Sequence, residues 1–208
     1  MKIFIDFDDV IFNTGLFKKS LAKIFSESGV PKKDFKESYQ LIFKNKKTTY
    51  SPLKHIGFFT KNKKVDSLKI LFHIENLLKN LESYLFNDAK IFLKHFAKNN
   101  LYLLSYGDLK FQRQKIKATG ISKYFKRIIV TKNNKFKIIK KMVGKNKFKK
   151  GERVIFIDDK PSHIKEVKQK GIITFQIIRP YLRLPRTADF NVRNFKEIEN
   201  ILLKNLSK

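Results

Sequence analysis

The chain has 208 residues, 42% of them hydrophobic, no cysteine, and a net charge of +29 from 47 Lys and Arg against 18 Asp and Glu. That length suits one domain, or a core domain carrying a smaller insert, and the apolar content can build a core, which excludes disorder as the default state. The missing cysteine excludes disulfides, thiolate metal sites and cysteine nucleophiles.

Taken in chain order, KIFIDF (2–7) reads as a buried strand. Leu16, Phe17, Leu21, Ile24 and Phe25 then recur at helical spacing, with Gly29-Val30-Pro31 as the stop. From 31 to 86 the pattern is helical but irregular, broken by a predicted loop at 51–59 and resumed by a helix over 65–86 that starts near Asp66. Beyond residue 86 strands and helices alternate. The pattern predicts a helix over 87–100 capped by Asn87 or Asp88, a strand at 101–105, a helix at 108–120, and a strand at 127–131. It continues with a helix at 135–144, a strand at 153–158, a helix at 160–171 with Pro161 in its first turn, a strand at 172–178 and a final helix at 195–206. Residues 179–187, with Arg179, Arg183 and Arg186, read as a loop that is either solvated or a contact for an anionic substrate tail. Alternating strands and helices mean βα units and a doubly wound parallel sheet. The expected organisation is an α/β core over 1–15 and 87–208 with a helical insert over 16–86.

In such sheets ligands bind beyond the carboxyl ends of the strands. The first strand ends at Asp6 with Asp8 two residues on, the next at Ser105, the next at Thr131 with Lys132 and Lys135 close behind, and the fourth at Asp158-Asp159. Carboxylates this crowded repel one another and raise each other's pKa values unless a cation intervenes. An oxygen-only donor set suits Mg²⁺. Ser105 and a lysine could then hold phosphoryl oxygens, one carboxylate could attack phosphorus, and a second could move protons to and from the leaving oxygen and water. The four histidines, His55, His73, His95 and His163, show no metal-ligand spacing; His73 and His95 read as helix-face residues, and His163 follows the Asp158-Asp159 pair.

The segments IFIDFDDVIFNT, LLSYGD, Lys135 in VTKNNKFKII, and VIFIDDKPSHI stand in the order and spacing of four motifs, and on them the chain resembles the haloacid dehalogenase-like (HAD) superfamily of phosphohydrolases. The likeness covers the core and not the insert. It implies a Rossmann-like core with an inserted helical cap, and a Mg²⁺-dependent phosphatase acting on a small phosphorylated substrate. It implies Asp6 as nucleophile and metal ligand, Asp8 as general acid and base with its carbonyl on the metal, and Ser105 as a phosphoryl ligand, with Tyr106 and Gly107 also binding substrate. It implies Lys135 as the neutralising cation and Asp158 and Asp159 as metal ligands. Lys132 and Lys137 compete with Lys135 for the lysine role, and Lys135 is preferred for its place at a helix start. The acid two residues after the nucleophile favours phosphoryl transfer, since dehalogenating members lack it. Asp9 stands where the family more often has glycine. A phosphomutase is the nearest alternative activity.

The charge admits another class. A strongly basic chain can bind nucleic acid, as a binder on this fold or as a nucleic-acid-end phosphatase. Here the excess is mostly lysine spread over the whole length, while arginine is scarce. Lys, Ile, Asn and Phe share A/T-rich codons, so compositional bias is the preferred reading and nucleic acid is not the favoured partner. The opening apolar run stops at Asp6, too short for a secretory signal, and no run approaches the ~18 uncharged apolar residues of a membrane span. A cytoplasmic location without a membrane partner is expected; oligomeric state is left open.

Overall fold

The structure, a computed structural model, describes residues 1–44, 49–143, 152–168 and 171–206. In chain order the elements are β1 (Lys2–Ile5), α1 (Thr14–Glu27), α2 (Lys32–Lys44), α3 (Pro52–Ile56), α4 (Ser67–Leu77), α5 (Asn87–His95), β2 (Leu101–Tyr106) and α6 (Leu109–Ala118). They continue with β3 (Arg127–Thr131), α7 (Lys135–Val143), β4 (Val154–Asp158), α8 (Pro161–Val167), β5 (Ile173–Ile177), β6 (Phe190–Val192) and α9 (Phe195–Leu206). Among the described residues no helix is long and apolar enough to cross a membrane.

The chain divides into two compact units. The first, Met1–Asn13 with Leu85–Tyr106 and Ile121–Lys208, holds a six-stranded sheet of order β3-β2-β1-β4-β5-β6. Every pairing in it is parallel. The strands read as nearly unbroken apolar runs because both faces are covered. Phe4, Tyr102, Leu104 and Phe156 on one face pack with Ile139 and Met142 of α7 and Ile164 and Val167 of α8. Helices α5 and α9 pack through Phe92 and Phe195, whose ring centroids lie 4.6 Å apart.

The second unit is Thr14–Tyr84 with Gly107–Gly120. Helix α6, read from sequence as part of the core, groups here because its Phe111 ring packs 6.2 Å from Phe17 and 5.8 Å from Tyr50. A Cβ on Gly107 would stand 2.7 Å from Gln112 Cγ, so any larger residue in this turn into α6 would have to displace the buried Gln112 side chain.

Local differences from the sequence reading have identifiable causes. Within the predicted loop at 51–59, Ser51 caps Lys54 N–H and Pro52 opens the short helix α3. The helix predicted over 65–86 begins after an Asp66 cap but ends at Leu77, and Leu81 N–H then donates to Ala118 O at 3.0 Å. Helix α5 stops at His95 and has no side-chain cap; Asp88 instead accepts from Arg179 Nη1 at 2.8 Å and Phe195 N at 2.9 Å. β6, three residues at the sheet edge, is too short to signal itself by periodicity. The predicted ends of the helices over 135–144 and 160–171 fall partly on residues 144, 169 and 170, outside the described residues.

Candidate active site

Parallel pairing places the polar strand ends side by side. Ile5 is in register with Ile157 on one side and Leu103 on the other. Asp6 therefore lies level with Asp158 on the neighbouring strand, and Ser105 lies one residue further along β2. Asp6 N–H donates to Ile157 O at 2.9 Å, which holds the end of β1 against β4. The chain then turns tightly: Phe7 O accepts from Ile11 N and Phe12 N at 3.0 and 2.9 Å, and the Phe7 and Phe12 rings stack at 4.9 Å. Asp9 occupies the left-handed region at φ 56°, a conformation that costs most side chains but that aspartate tolerates better than most. Its Oδ1 accepts from Tyr181 OH at 2.9 Å.

Lys135, in the first turn of α7 and 1% exposed, joins two of these ends: its Nζ lies 2.7 Å from Asp6 Oδ1 and 2.7 Å from Asp158 Oδ2. Lys132 and Lys137 are exposed. Asp158 Oδ1 also accepts from Lys160 N at 2.9 Å. His163 Nδ1 stands 3.1 Å from Asp158 Oδ2 and 3.3 Å from Oδ1. Asp159 is 5% exposed; its carbonyl accepts from Gln176 Nε2 at 3.0 Å, while its Oδ1 has no hydrogen-bond partner among the described residues. Ser105 is fully buried, Tyr106 and Asp8 are half-buried, and Gly107 opens the second segment of the second unit.

The electrostatics separate the three acids. Burial raises the Asp6 carboxyl above its ordinary range, with Lys135 opposing and Asp158 adding to the shift. Burial pushes Asp158 the same way, but Lys135 and the His163 contact outweigh it and hold that carboxyl well below the usual range. Asp159 is pushed up to about 9 by burial and by the charges of Asp158 and Asp6. Burial would lower the Lys135 ammonium, and its two carboxylates more than reverse that, so it stays charged. The rim thus holds one ionised acid firmly paired with lysine and one buried carboxyl oxygen with nothing to bind, a donor set that fits a hard cation. Among the described residues, Asp6, Asp158 and His163 bring one donor atom each within 4.8 Å of one another. Asp8 and Asp159 are not in that set.

Two residues lay outside the sequence-derived set or were read differently. His163, which follows the Asp158-Asp159 pair and so could lie near the rim, carries no spacing signal that assigns it a role there. Arg179, read as a loop residue that is either solvated or a contact for a substrate tail, is buried: it donates to Val10 O at 2.6 Å and to Asp88 at 2.8 Å, and its guanidinium lies 3.8 Å over the Phe86 ring. A guanidinium spent on a carbonyl, a carboxylate and a ring is a structural clamp. His55 is fully buried in the second unit, and His95 sits on α5 beside Glu199 at 2.8 Å.

A family model described as haloacid dehalogenase-like hydrolase matches residues 3–177. No protein of curated function matches the chain. Solved structures share its fold across nearly its whole length. A HAD phosphatase from Thermococcus onnurineus is 19% identical with a TM-score of 0.68, covering 97% of this chain and 98% of its own. The HAD-hydrolase YfnB from Bacillus subtilis, bound to magnesium, is 17% identical with a TM-score of 0.67, covering 97% of each chain. The L-2-haloacid dehalogenase from Xanthobacter autotrophicus is 12% identical with a TM-score of 0.66, covering 98% of each.

Proposed function

The chain belongs to the haloacid dehalogenase-like hydrolases, and from that premise we propose that it hydrolyses a small phosphomonoester through an aspartyl-phosphate on Asp6. The observation that carries this reading is the Asp6–Lys135–Asp158 bridge at the strand ends, with a second acid, Asp8, two residues beyond Asp6.

Lys135 holds Asp6 Oδ1, which orients the carboxylate and leaves Oδ2 to attack phosphorus. The Oδ2–P bond forms as the bond from phosphorus to the leaving oxygen breaks, and Asp8 gives that oxygen its proton. Asp8, now ionised, takes a proton from water, and the resulting attack on phosphorus breaks the Oδ2–P bond and returns Asp6 and free phosphate. Ser105 donates to a phosphoryl oxygen, and Tyr106 and Gly107 follow it at the same strand end. A divalent cation such as Mg²⁺, which Asp6, Asp158, Asp159 and the Asp8 carbonyl would hold, supplies positive charge against the phosphoryl oxygens. Two of the four chain junctions of the second unit follow site residues closely in sequence, Asn13–Thr14 five residues past Asp8 and Tyr106–Gly107 one residue past Ser105. These attachments support a cap that selects the substrate.

Phosphoryl transfer is preferred over dehalogenation because Asp8 gives the site a proton carrier, which an ester oxygen needs on leaving and a halide does not. The test offers wild type and Asp6→Asn a panel of sugar phosphates, nucleotides and p-nitrophenyl phosphate, together with 2-haloacids. Phosphate release that EDTA abolishes and Asp6→Asn lacks, without halide release, is expected. Halide release without phosphate release contradicts the proposal.

A further inference from the structure

His163 brings nitrogen to a rim otherwise made of oxygen donors. It sits in the first turns of α8, two residues after Pro161 fixes the helix start, with Nδ1 at 3.1 and 3.3 Å from the two oxygens of Asp158. One donor atom each from Asp6, Asp158 and His163 falls within 4.8 Å of the others. Bonds of roughly 2.1 Å from a six-coordinate cation place neighbouring ligands about 3 Å apart and opposite ones about 4.2 Å apart. The three donors are thus spread over a distance comparable to the ligand shell of one cation and at most slightly wider, so a small side-chain adjustment would bring them onto one ion. A separate observation points to a ligand near by: Asp159 Oδ1 is buried with no donor among the described residues, and its carboxyl, outside the three-donor set, is close enough to feel the charges of Asp158 and Asp6.

We propose that His163 is a ligand of the divalent cation at this site, a nitrogen donor that shifts its preference from Mg²⁺ toward borderline ions such as Mn²⁺. The inference rests on the divalent-cation reading given above. Imidazole adds little to binding of Mg²⁺, which favours oxygen, and adds more with ions further along the first transition row. A cation held there would take a ring-nitrogen lone pair of His163 in place of the contact with Asp158, whose Oδ1 would keep the Lys160 N–H and whose Oδ2 would keep Lys135.

The probe is Mn²⁺ alone, titrated into wild type, H163Q and H163A and followed by pulsed electron paramagnetic resonance. Wild type is expected to show ¹⁴N modulation from bound Mn²⁺. That modulation changes to the ¹⁵N pattern in wild-type protein labelled with ¹⁵N-histidine, an arm that needs no variant to fold. In H163Q and H163A it disappears, and the affinity for Mn²⁺ relative to Mg²⁺ falls about tenfold or more. Bound Mn²⁺ without histidine nitrogen overturns the inference and leaves an oxygen-only metal site standing. No Mn²⁺ bound by wild type overturns the divalent-cation reading, and this inference with it.

Discussion

Lys135 is the only cation within salt-bridge distance of both Asp6 and Asp158 among the described residues, and all three side chains are buried. Removing the ammonium leaves two carboxylates in a poorly solvated rim. Lys135→Met is predicted to lower stability by about 3–5 kcal/mol, read as a lower urea midpoint, and to abolish turnover. Pairing it with Asp158→Asn should cost less than the sum of the two single changes, because the second substitution removes one stranded charge. The crowd of acids was legible in the sequence, since each ends an apolar run and parallel strands bring such ends together. Which lysine meets them was not fixed by spacing: Lys132, Lys135 and Lys137 fall within six residues, and of the three only Lys135, the first residue of α7, is buried. Arg179 was misread for a related reason. A guanidinium in a Pro-bearing loop looks solvated until its partners, Asp88 and Val10, arrive from far along the chain.

At the scale of elements, the second unit is joined by a buried polar chain. Tyr50 OH lies 3.2 Å from His55 Nδ1, and His55 Nε2 lies 2.8 Å from Ser38 Oγ, which donates to Asp34 O at 2.6 Å. With Ser38 spending its proton on Asp34 O, the consistent tautomer carries the ring proton on Nε2 and accepts Tyr50 at Nδ1. The rings of Phe25, Phe35, Tyr39 and Phe59 pack around His55, and Lys18 Nζ lies 3.7 Å over Tyr39. Burial, with Lys18 adding to it, lowers His55 from 6.5 to about 4. The unfolded chain therefore takes up a proton that the folded one refuses. This contribution is complete above pH 6.5 and is lost as pH falls toward 4. It amounts to about 3 kcal/mol. Denaturation midpoints measured across that range should fall for wild type and fall less for His55→Gln; equal slopes contradict the assignment. The helical character of this unit was legible from its periodic Phe, Leu and Ile. Its breaks were not: α3 begins at a Ser-Pro pair that reads equally as a loop, and α4 ends where a backbone bond to Ala118 draws the chain away.

At the scale of the whole molecule, the parallel sheet was the most legible feature, because strands buried on both faces and separated by helices admit few arrangements. The grouping of α6 with the second unit was not, since an amphipathic helix does not say which core its apolar face meets. The charge of +29 is the other property of the whole chain. If it reflects composition, binding to duplex and single-stranded DNA should be weak, similar for both, and steeply reduced by salt. Fluorescence anisotropy checks this, and tight preference for one form that survives salt would mark a built nucleic-acid surface. The central claim, phosphoryl transfer to Asp6, is tested most directly with Asp8→Asn and p-nitrophenyl phosphate. p-Nitrophenolate leaves without a proton, whereas water attack still needs Asp8, so the intermediate should accumulate. The account predicts a burst approaching one p-nitrophenolate per protein molecule, slow turnover after it, and phosphate on Asp6 in the peptide trapped by acid quench. Phosphate on another residue, or steady release with no burst and no labelled protein, would contradict it.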